Sequence, residues 1–373
     1  MNDSATGQYL SKQASKQASK QASKQASKQR VLGLDVFRIQ CAFIILFFHS
    51  KQIGCRYHLL DQYISMGAVY MTAFFMLSGF SLYLADEEID LSWSGLRKFY
   101  VKRITSIMPL YFAYCLGYLL LFTERNSLRE IAVLLPTEVL GIQSFFSTLF
   151  GISHNGGTWF ISCILFCYFL YPLIVTIIKG ISRRARIILC FALMFVIIYA
   201  PFVVIMFGMK SIYENPLFRC MEFALGIIYC CEWKNRRLRF PLLVGLIIIV
   251  LENIILIGSV TLLVNKGFYV NDYMAYNIIC LPILSIMLIS YAAWNLEIGK
   301  AWKNLILFLG SITYAIFLAT DFSWLIMKRT VLEYTDATRI KLPVAVIICV
   351  MIATAMHLLI EKPAKRILSG RFG

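Results

Sequence analysis

Ten stretches of this chain are too apolar to sit in water and about the right length to cross a bilayer. They run over residues 33–50, 63–85, 106–122, 158–178, 186–208, 220–231, 240–258, 273–294, 304–327 and 342–360. A helix rises ~1.5 Å per residue, so the hydrocarbon layer takes ~20 apolar residues to cross. Most of the ten runs reach that length and the others fall slightly short. The sequence therefore predicts an all-α polytopic membrane protein with about ten transmembrane helices. Composition agrees: 59% of the 373 residues are hydrophobic and the mean hydropathy is +0.72, whereas soluble domains are only about half apolar.

The formal net charge of +16 does not point to nucleic acid, because of where the cations lie. Arg97, Lys98, Lys102 and Arg103 form one group, and Lys179, Arg183, Arg184 and Arg186 a second. Lys234, Arg236, Arg237 and Arg239 form a third, followed by Lys300 and Lys303 and then Lys362, Lys365, Arg366 and Arg371. These groups fall in alternate connections, while the loops 51–62 and 259–272 are poor in Lys and Arg. Basic residues collect on the cytoplasmic side of a membrane protein. The pattern places both termini in the cytoplasm and fits an even number of spans. The connection 328–341 runs against it, with Lys328, Arg329, Arg339 and Lys341 on the outer side. The eleven cysteines lie almost entirely inside apolar runs, where cysteine behaves as a small hydrophobe. Cys230 and Cys231 stand beside Glu232, but no ligand spacing accompanies them, so neither a metal nor a structural disulfide is expected.

Residues 1–30 contain an S-K-Q-A repeat from Ser11 to Ala26, continued by Ser27-Lys28-Gln29. A basic, polar, low-complexity tract cannot form a core. It reads as a disordered cytoplasmic tail, or as a tail whose lysines touch anionic lipid. No apolar core suggests a signal peptide there. Residues 31–368 read as one membrane-embedded domain. Within it, 86–105 looks like an interfacial amphipathic helix, and 124–157 has apolar patches that predict folding back onto the membrane.

Charged groups within apolar runs are costly, at ~2.5–3.5 kcal/mol each on insertion scales, and mark candidate sites. Asp35, Arg38 and His49 lie in the first run. Arg38 and His49 are eleven residues apart, which puts them about 20° apart around a helix and about 16 Å apart along it. Asp35 precedes Arg38 by three and can pair with it. A snorkelling Arg38 and an interfacial His49 are the bland alternatives. Ser78 and Gly79 form a small pair suited to close helix packing. Lys102 and Arg103 precede Pro109 at a span entrance. Arg219 and Glu222 are three apart at another and can form a purely structural pair. Trp159 opens a span at the depth where tryptophan is common.

The order of these elements resembles the integral-membrane acyltransferases of family three, which include O-acetyltransferases of O-antigen, capsule and peptidoglycan. The shared features are Leu34-Asp35-Val36-Phe37-Arg38 with His49, then Phe75-Met76-Leu77-Ser78-Gly79-Phe80, then Lys102-Arg103 with Pro109. Trp159-Phe160-Ile161-Ser162 with Tyr168 and Pro172, Glu222-Phe223 with Gly226, and Leu309-Gly310-Ser311-Ile312-Thr313-Tyr314 follow. Glu361-Lys362-Pro363 closes the series. Three positions depart from the family pattern. Ser106 stands where a second arginine is usual, Cys163-Ile164-Leu165 where paired glutamates are, and Thr320, beside Asp321, where a histidine is.

The resemblance implies transfer of an acyl group, usually acetyl, from cytoplasmic acetyl-CoA to a hydroxyl of a cell-envelope or exported polysaccharide sugar. Acetyl-CoA would be a co-substrate, with no permanently bound cofactor and no metal. Its phosphates call for Arg38, Lys102 and Arg103. A hydroxyl nucleophile calls for a base such as His49. Asp35, Ser78, Gly79, Trp159, Arg219, Glu222 and Tyr314 would support the site. The two substrates would meet in a narrow polar tunnel, open near Arg38 and Arg103 at one end and near His49, Trp159 and the 124–157 loop at the other. Succinyl in place of acetyl, a transporter or flippase for lipid-linked sugar or a small metabolite, and a sensor that keeps the fold without the chemistry are the competing readings.

Overall fold

The structure, a computed structural model, describes residues 30–55, 61–121, 128–146, 156–207, 212–236, 238–265, 273–330 and 338–372. The S-K-Q-A tract lies outside them. Among the described residues the chain is helical and has no strand. The sole extended pairing is an isolated bridge between Phe240 and Trp294.

Every one of the ten apolar runs becomes a helix. These are α1 (Leu32–Ser50), α3 (Gly67–Ala85), α4 (Trp93–Leu121), α6 (Trp159–Gly180), α7 (Arg183–Met206), α8 (Pro216–Arg236), α9 (Leu242–Asn265), α10 (Tyr273–Ala293), α11 (Lys300–Thr330) and α12 (Thr338–Met356). Short α2 (Asp61–Ser65) and α5 (Leu128–Leu140) lie in connections. The chain continues from α12 through a π-helical turn, His357–Glu361, into α13 (Lys362–Phe372). Seven helices among the described residues are long and apolar enough to cross a membrane: Leu32–Ile53, Gly67–Ala85, Trp93–Leu121, Trp159–Gly180, Leu242–Leu263, Lys300–Thr330 and Ile340–Leu368. Of the other three, α7 opens on Arg183, Arg184 and Arg186, α8 contains Arg219 and Glu222, and the described apolar stretch of α10 is Ile278–Ala293.

Two connections refine the sequence reading. Residues 86–92 are not helical, and 93–105 are the first turns of α4, a continuous 29-residue helix. Its opening turns still suit an interface, since Trp93 is 82% exposed. Where it is described, the 124–157 connection packs on the protein itself, against α4 and the start of α6. Tyr111 of α4 donates to the Glu138 carbonyl of α5 at 2.9 Å. Gln143 donates to the Thr158 carbonyl at 2.9 Å, and Ser144 Oγ to the Trp159 carbonyl at 2.9 Å.

Helix α1 lies against α3, α10 and α11, and α3 packs on α8. The α3–α8 approach is backbone to backbone. A Cβ at Gly79 would fall 2.0 Å from the Phe223 carbonyl oxygen, and one at Gly226 would fall 1.8 Å from that of Met76. Small residues let apolar helices come this close and gain dispersion contacts that lipid cannot match.

At the end of α3, the turn Asp86-Glu87-Glu88 gathers cations from three helices. Asp86 takes Lys102 and Arg103 of α4, Glu87 takes Lys234 of α8, and Glu88 takes Lys179 of α6 at 2.6 Å. Cations from three of the basic groups that the sequence spread over separate loops thus meet at this turn.

Candidate functional site

The first polar centre is built on the opening turns of α1. The buried Asp35 accepts from Arg38 Nη1 at 2.9 Å, and from Arg30 through Nε at 2.9 Å and Nη2 at 3.3 Å. Arg38 also donates through Nη2 to Ser81 Oγ of α3 at 3.0 Å. Gly310 of α11 leaves room for the carboxylate, since a Cβ there would sit 3.1 Å from Oδ1. Both ends of the Arg38 guanidinium are thus held by the protein. Arg38 lines a cavity of about 390 Å³ with Arg30, Asp35, Ser81, Asp86 and Lys102.

Of the three expected donor-binding residues, Arg38 and Lys102 share this cavity, and Arg103 reaches it through Asp86. Arg103 also lies over the rings of Phe99, at 5.4 Å, and Tyr168, at 6.0 Å. Four guanidinium or ammonium groups (Arg30, Arg38, Lys102, Arg103) face two carboxylates (Asp35, Asp86). The excess is positive, which suits a phosphate-bearing ligand. Arg30 and Asp86 were not singled out in the sequence. Arg30 sits at the edge of the polar tail and Asp86 just after an apolar run, where neither breaks a hydrophobic pattern.

The second centre lies at the other end of α1. His49 Nδ1 is 3.5 Å from Asp321 Oδ1 of α11 and 3.2 Å from Gln52 Nε2. At 3.5 Å the pair is a charge contact and not a hydrogen bond, and the buried Asp321 Oδ1 has no hydrogen-bond partner among the described residues. An Nδ1–H turned to the carboxylate would leave Nε2 as the basic nitrogen. As placed, Gln52 presents its Nε2 to Nδ1; turning the amide would put its oxygen there as an acceptor that competes with Asp321 for the same Nδ1–H. The carboxylate of Asp321 was legible as a charge inside the run 304–327, yet its partner was not. Only the packing of α11 on α1 brings it to His49. Ala42 and Ile45, which share the face between Arg38 and His49, are each 2% exposed. That stretch of the expected passage is packed shut in this structure.

The supporting residues divide. Asp35 joins the first centre, as expected. Ser78 donates to the Phe74 carbonyl of its own helix at 2.7 Å, and Gly79 serves the α3–α8 contact, so these two belong to packing. Arg219 and Glu222 are both fully buried and ion-paired, with Nη1 2.8 Å from Oε2. Thr72 Oγ1 donates to Glu222 at 2.8 Å, and Arg219 Nε to the Tyr213 carbonyl at 2.7 Å. The Arg219 guanidinium is enclosed by the rings of Phe75, Trp159 and Tyr213 at 5.4, 5.3 and 4.5 Å. This is a sealed box joining α3, α6 and α8, and Trp159 is one of its walls. Tyr314 donates to the Ile107 carbonyl at 3.0 Å, tying α11 to α4 beside Pro109.

Further polar groups were missed. Glu252 of α9 is buried and accepts from Ser290 Oγ at 2.5 Å. Next to it in sequence, Asn253 accepts from Gln40 at 2.7 Å and Tyr63 at 3.0 Å. Gln40 lies two residues past Arg38, about 200° around the helix, so this network occupies the opposite flank of α1. His357 and Lys365 both meet Glu361, at 2.7 and 2.5 Å, around the π turn.

No curated protein and no solved structure matches the chain. A family model described as an acyltransferase domain, of acyltransferase family 3, matches residues 31–358. The motifs, the helical membrane architecture and this match, which spans most of the sequence, agree: the chain belongs to the acyltransferase family 3 of membrane proteins.

Proposed function

We propose that this membrane acyltransferase moves acetyl from cytoplasmic acetyl-CoA to a hydroxyl of a cell-envelope or exported polysaccharide sugar. The observation that carries the reading is the pairing, on one helix, of a cationic cavity around Arg38 with a carboxylate-backed imidazole at His49. Arg30, Arg38 and Lys102 would hold the phosphates of CoA, with Arg103 joining when Asp86 yields it. The acceptor hydroxyl would lose its proton to His49 Nε2 as its oxygen bonds the thioester carbonyl carbon. The C–S bond breaks as the tetrahedral intermediate collapses, and the departing thiolate takes a proton back, so the transfer is proton-neutral overall. Asp321 holds the ring and offsets the charge of the imidazolium.

In this reading all ten long helices cross the bilayer, both termini are cytoplasmic, and the cavity opens to the cytoplasm. The charges of α8 are compatible with that because Arg219 and Glu222 neutralise each other inside the bundle. The thioester must then travel from the cavity toward His49, which requires α1 and α11 to part at Ala42 and Ile45. The test is purified protein in vesicles given acetyl-CoA labelled in the acetyl group and a polysaccharide acceptor. Label on the polysaccharide, lost in His49→Ala, is the expected result. Label carried across the membrane unchanged, or no consumption of acetyl-CoA, overturns the reading.

A further inference from the structure

Beside the α7–α8 junction lies a groove of about 260 Å³ that shares no lining residue with the cavity around Arg38. Its wall is apolar, with Ile187 and Phe191 from α7, Ile228 and Tyr229 from α8, and Ile289 from α10. Its mouth is ionic, with Glu232 and Arg236 at the basic end of α8. Two arginines of α7 bind Glu232: Arg183 Nε at 3.0 Å and Arg186 Nε at 3.3 Å. Arg186 is spent inside, since its Nη1 also donates to the Ile181 carbonyl at 3.0 Å. Arg183 is not, because its side chain is 54% exposed and only Nε meets the carboxylate. Arg236 lines the mouth itself, and Arg183 and Arg186 adjoin it through Glu232, so three arginines and one glutamate give this region a net charge of +2. Trp233, which lines the groove, has its buried indole Nε1 without a hydrogen-bond partner among the described residues.

We infer that this groove is a binding site for an anionic phospholipid of the bilayer leaflet at the basic face. The shape fits an amphiphile, since the apolar wall runs from the charged mouth into the hydrocarbon depth. The outer wall faces where lipid must be: Phe191 is 67% exposed, and the α7 face continues through the stacked rings of Phe195 and Tyr199. The charge selects the headgroup. A phosphate with net negative charge would bridge Arg183 and Arg236 across the neutralised Glu232, whereas a zwitterionic headgroup would bring its own cation into a site already positive. The acyl chain would lie along Phe191.

The test is intact-protein mass spectrometry of the full chain released from vesicles of phosphatidylglycerol or of phosphatidylcholine. Retention of one phosphatidylglycerol per chain is expected, with no phosphatidylcholine retained. Arg183→Gln with Arg236→Gln should weaken retention about thirty-fold, on the scale of two lost surface cations. Lys300→Gln with Lys303→Gln removes the same charge elsewhere on that face and should change nothing. Cys190→Trp fills the groove without touching the charges and should also expel the lipid, which keeps the test decisive should the arginine variant fold poorly. Equal retention of the two lipids, or undiminished phosphatidylglycerol in both groove variants, overturns the proposal. A lipid-free particle of two chains would overturn it in favour of a self-contact.

Discussion

His49 and Asp321 carry the sharpest consequences at the level of single residues. In the proposed reaction His49 is the general base, and removing such a base costs a factor of ~10²–10⁴, so His49→Ala should lose acetyl transfer to that extent while remaining folded and inserted. Acylated polysaccharide, compared at matched protein levels, is the measurement. Asp321 acts through His49 and touches no substrate in this reading. Asp321→Asn should lower kcat, leave the KM for acetyl-CoA unchanged and alter the pH dependence of kcat. A merely structural residue would leave the pH profile alone. Arg38 differs, because its two ends meet Asp35 and Ser81 separately. The Lys ammonium is a point charge and cannot reproduce that fork, so Arg38→Lys should raise the KM for acetyl-CoA. Glu222→Gln tests burial instead of chemistry. It strands the Arg219 charge in a box sealed from solvent, at a cost of about 3–5 kcal/mol, and should show as a loss of folded protein on a thermal melt in detergent. Replacing both partners by apolar residues of similar volume should recover most of that loss.

At the level of helices, the closest contact is the informative one. Gly226→Ala places a methyl 1.8 Å from the Met76 carbonyl oxygen. Helices α3 and α8 must part, and overpacking of this kind costs about 1–3 kcal/mol. A lower melting temperature with unchanged KM for acetyl-CoA is expected; a changed KM would place the α3–α8 seam in the donor site. The positions of the helices were legible because a run of twenty apolar residues has few alternatives in a bilayer. Asp35 with Arg38 was legible too, since partners three apart on a helix meet whatever the fold does. The pairing of Asp321 with His49 was not, and neither was that of Glu252 with Ser290. Each joins helices far apart in the chain, and no local periodicity encodes which helices become neighbours. Ser78 was legible as a small residue suited to packing, though its hydrogen bond was not. A hydroxyl in an apolar helix has its own i−4 carbonyl as the nearest acceptor, and Ser78 uses it.

Across the whole molecule, the cations of several loops converge on Asp86, Glu87 and Glu88, while the repeat tract lies outside the family domain. Deleting residues 11–29 should leave acetyl transfer within about two-fold, because a tail of that composition cannot pre-organise a site; complete loss with insertion intact would give the tail a gating role. The carboxylate turn has a consequence for how the protein is made. Its partners are unequal in sequence distance: 17 residues from Asp86 to Arg103, 91 from Glu88 to Lys179, and 147 from Glu87 to Lys234. At ~5–20 residues synthesised per second, Glu87 leaves the ribosome roughly 7–30 s before the lysine that will neutralise it. The nascent chain therefore closes this hub in a fixed order, α4 first and α8 last. Until α8 has been made and packed on α3, the Glu87 carboxylate waits without its lysine.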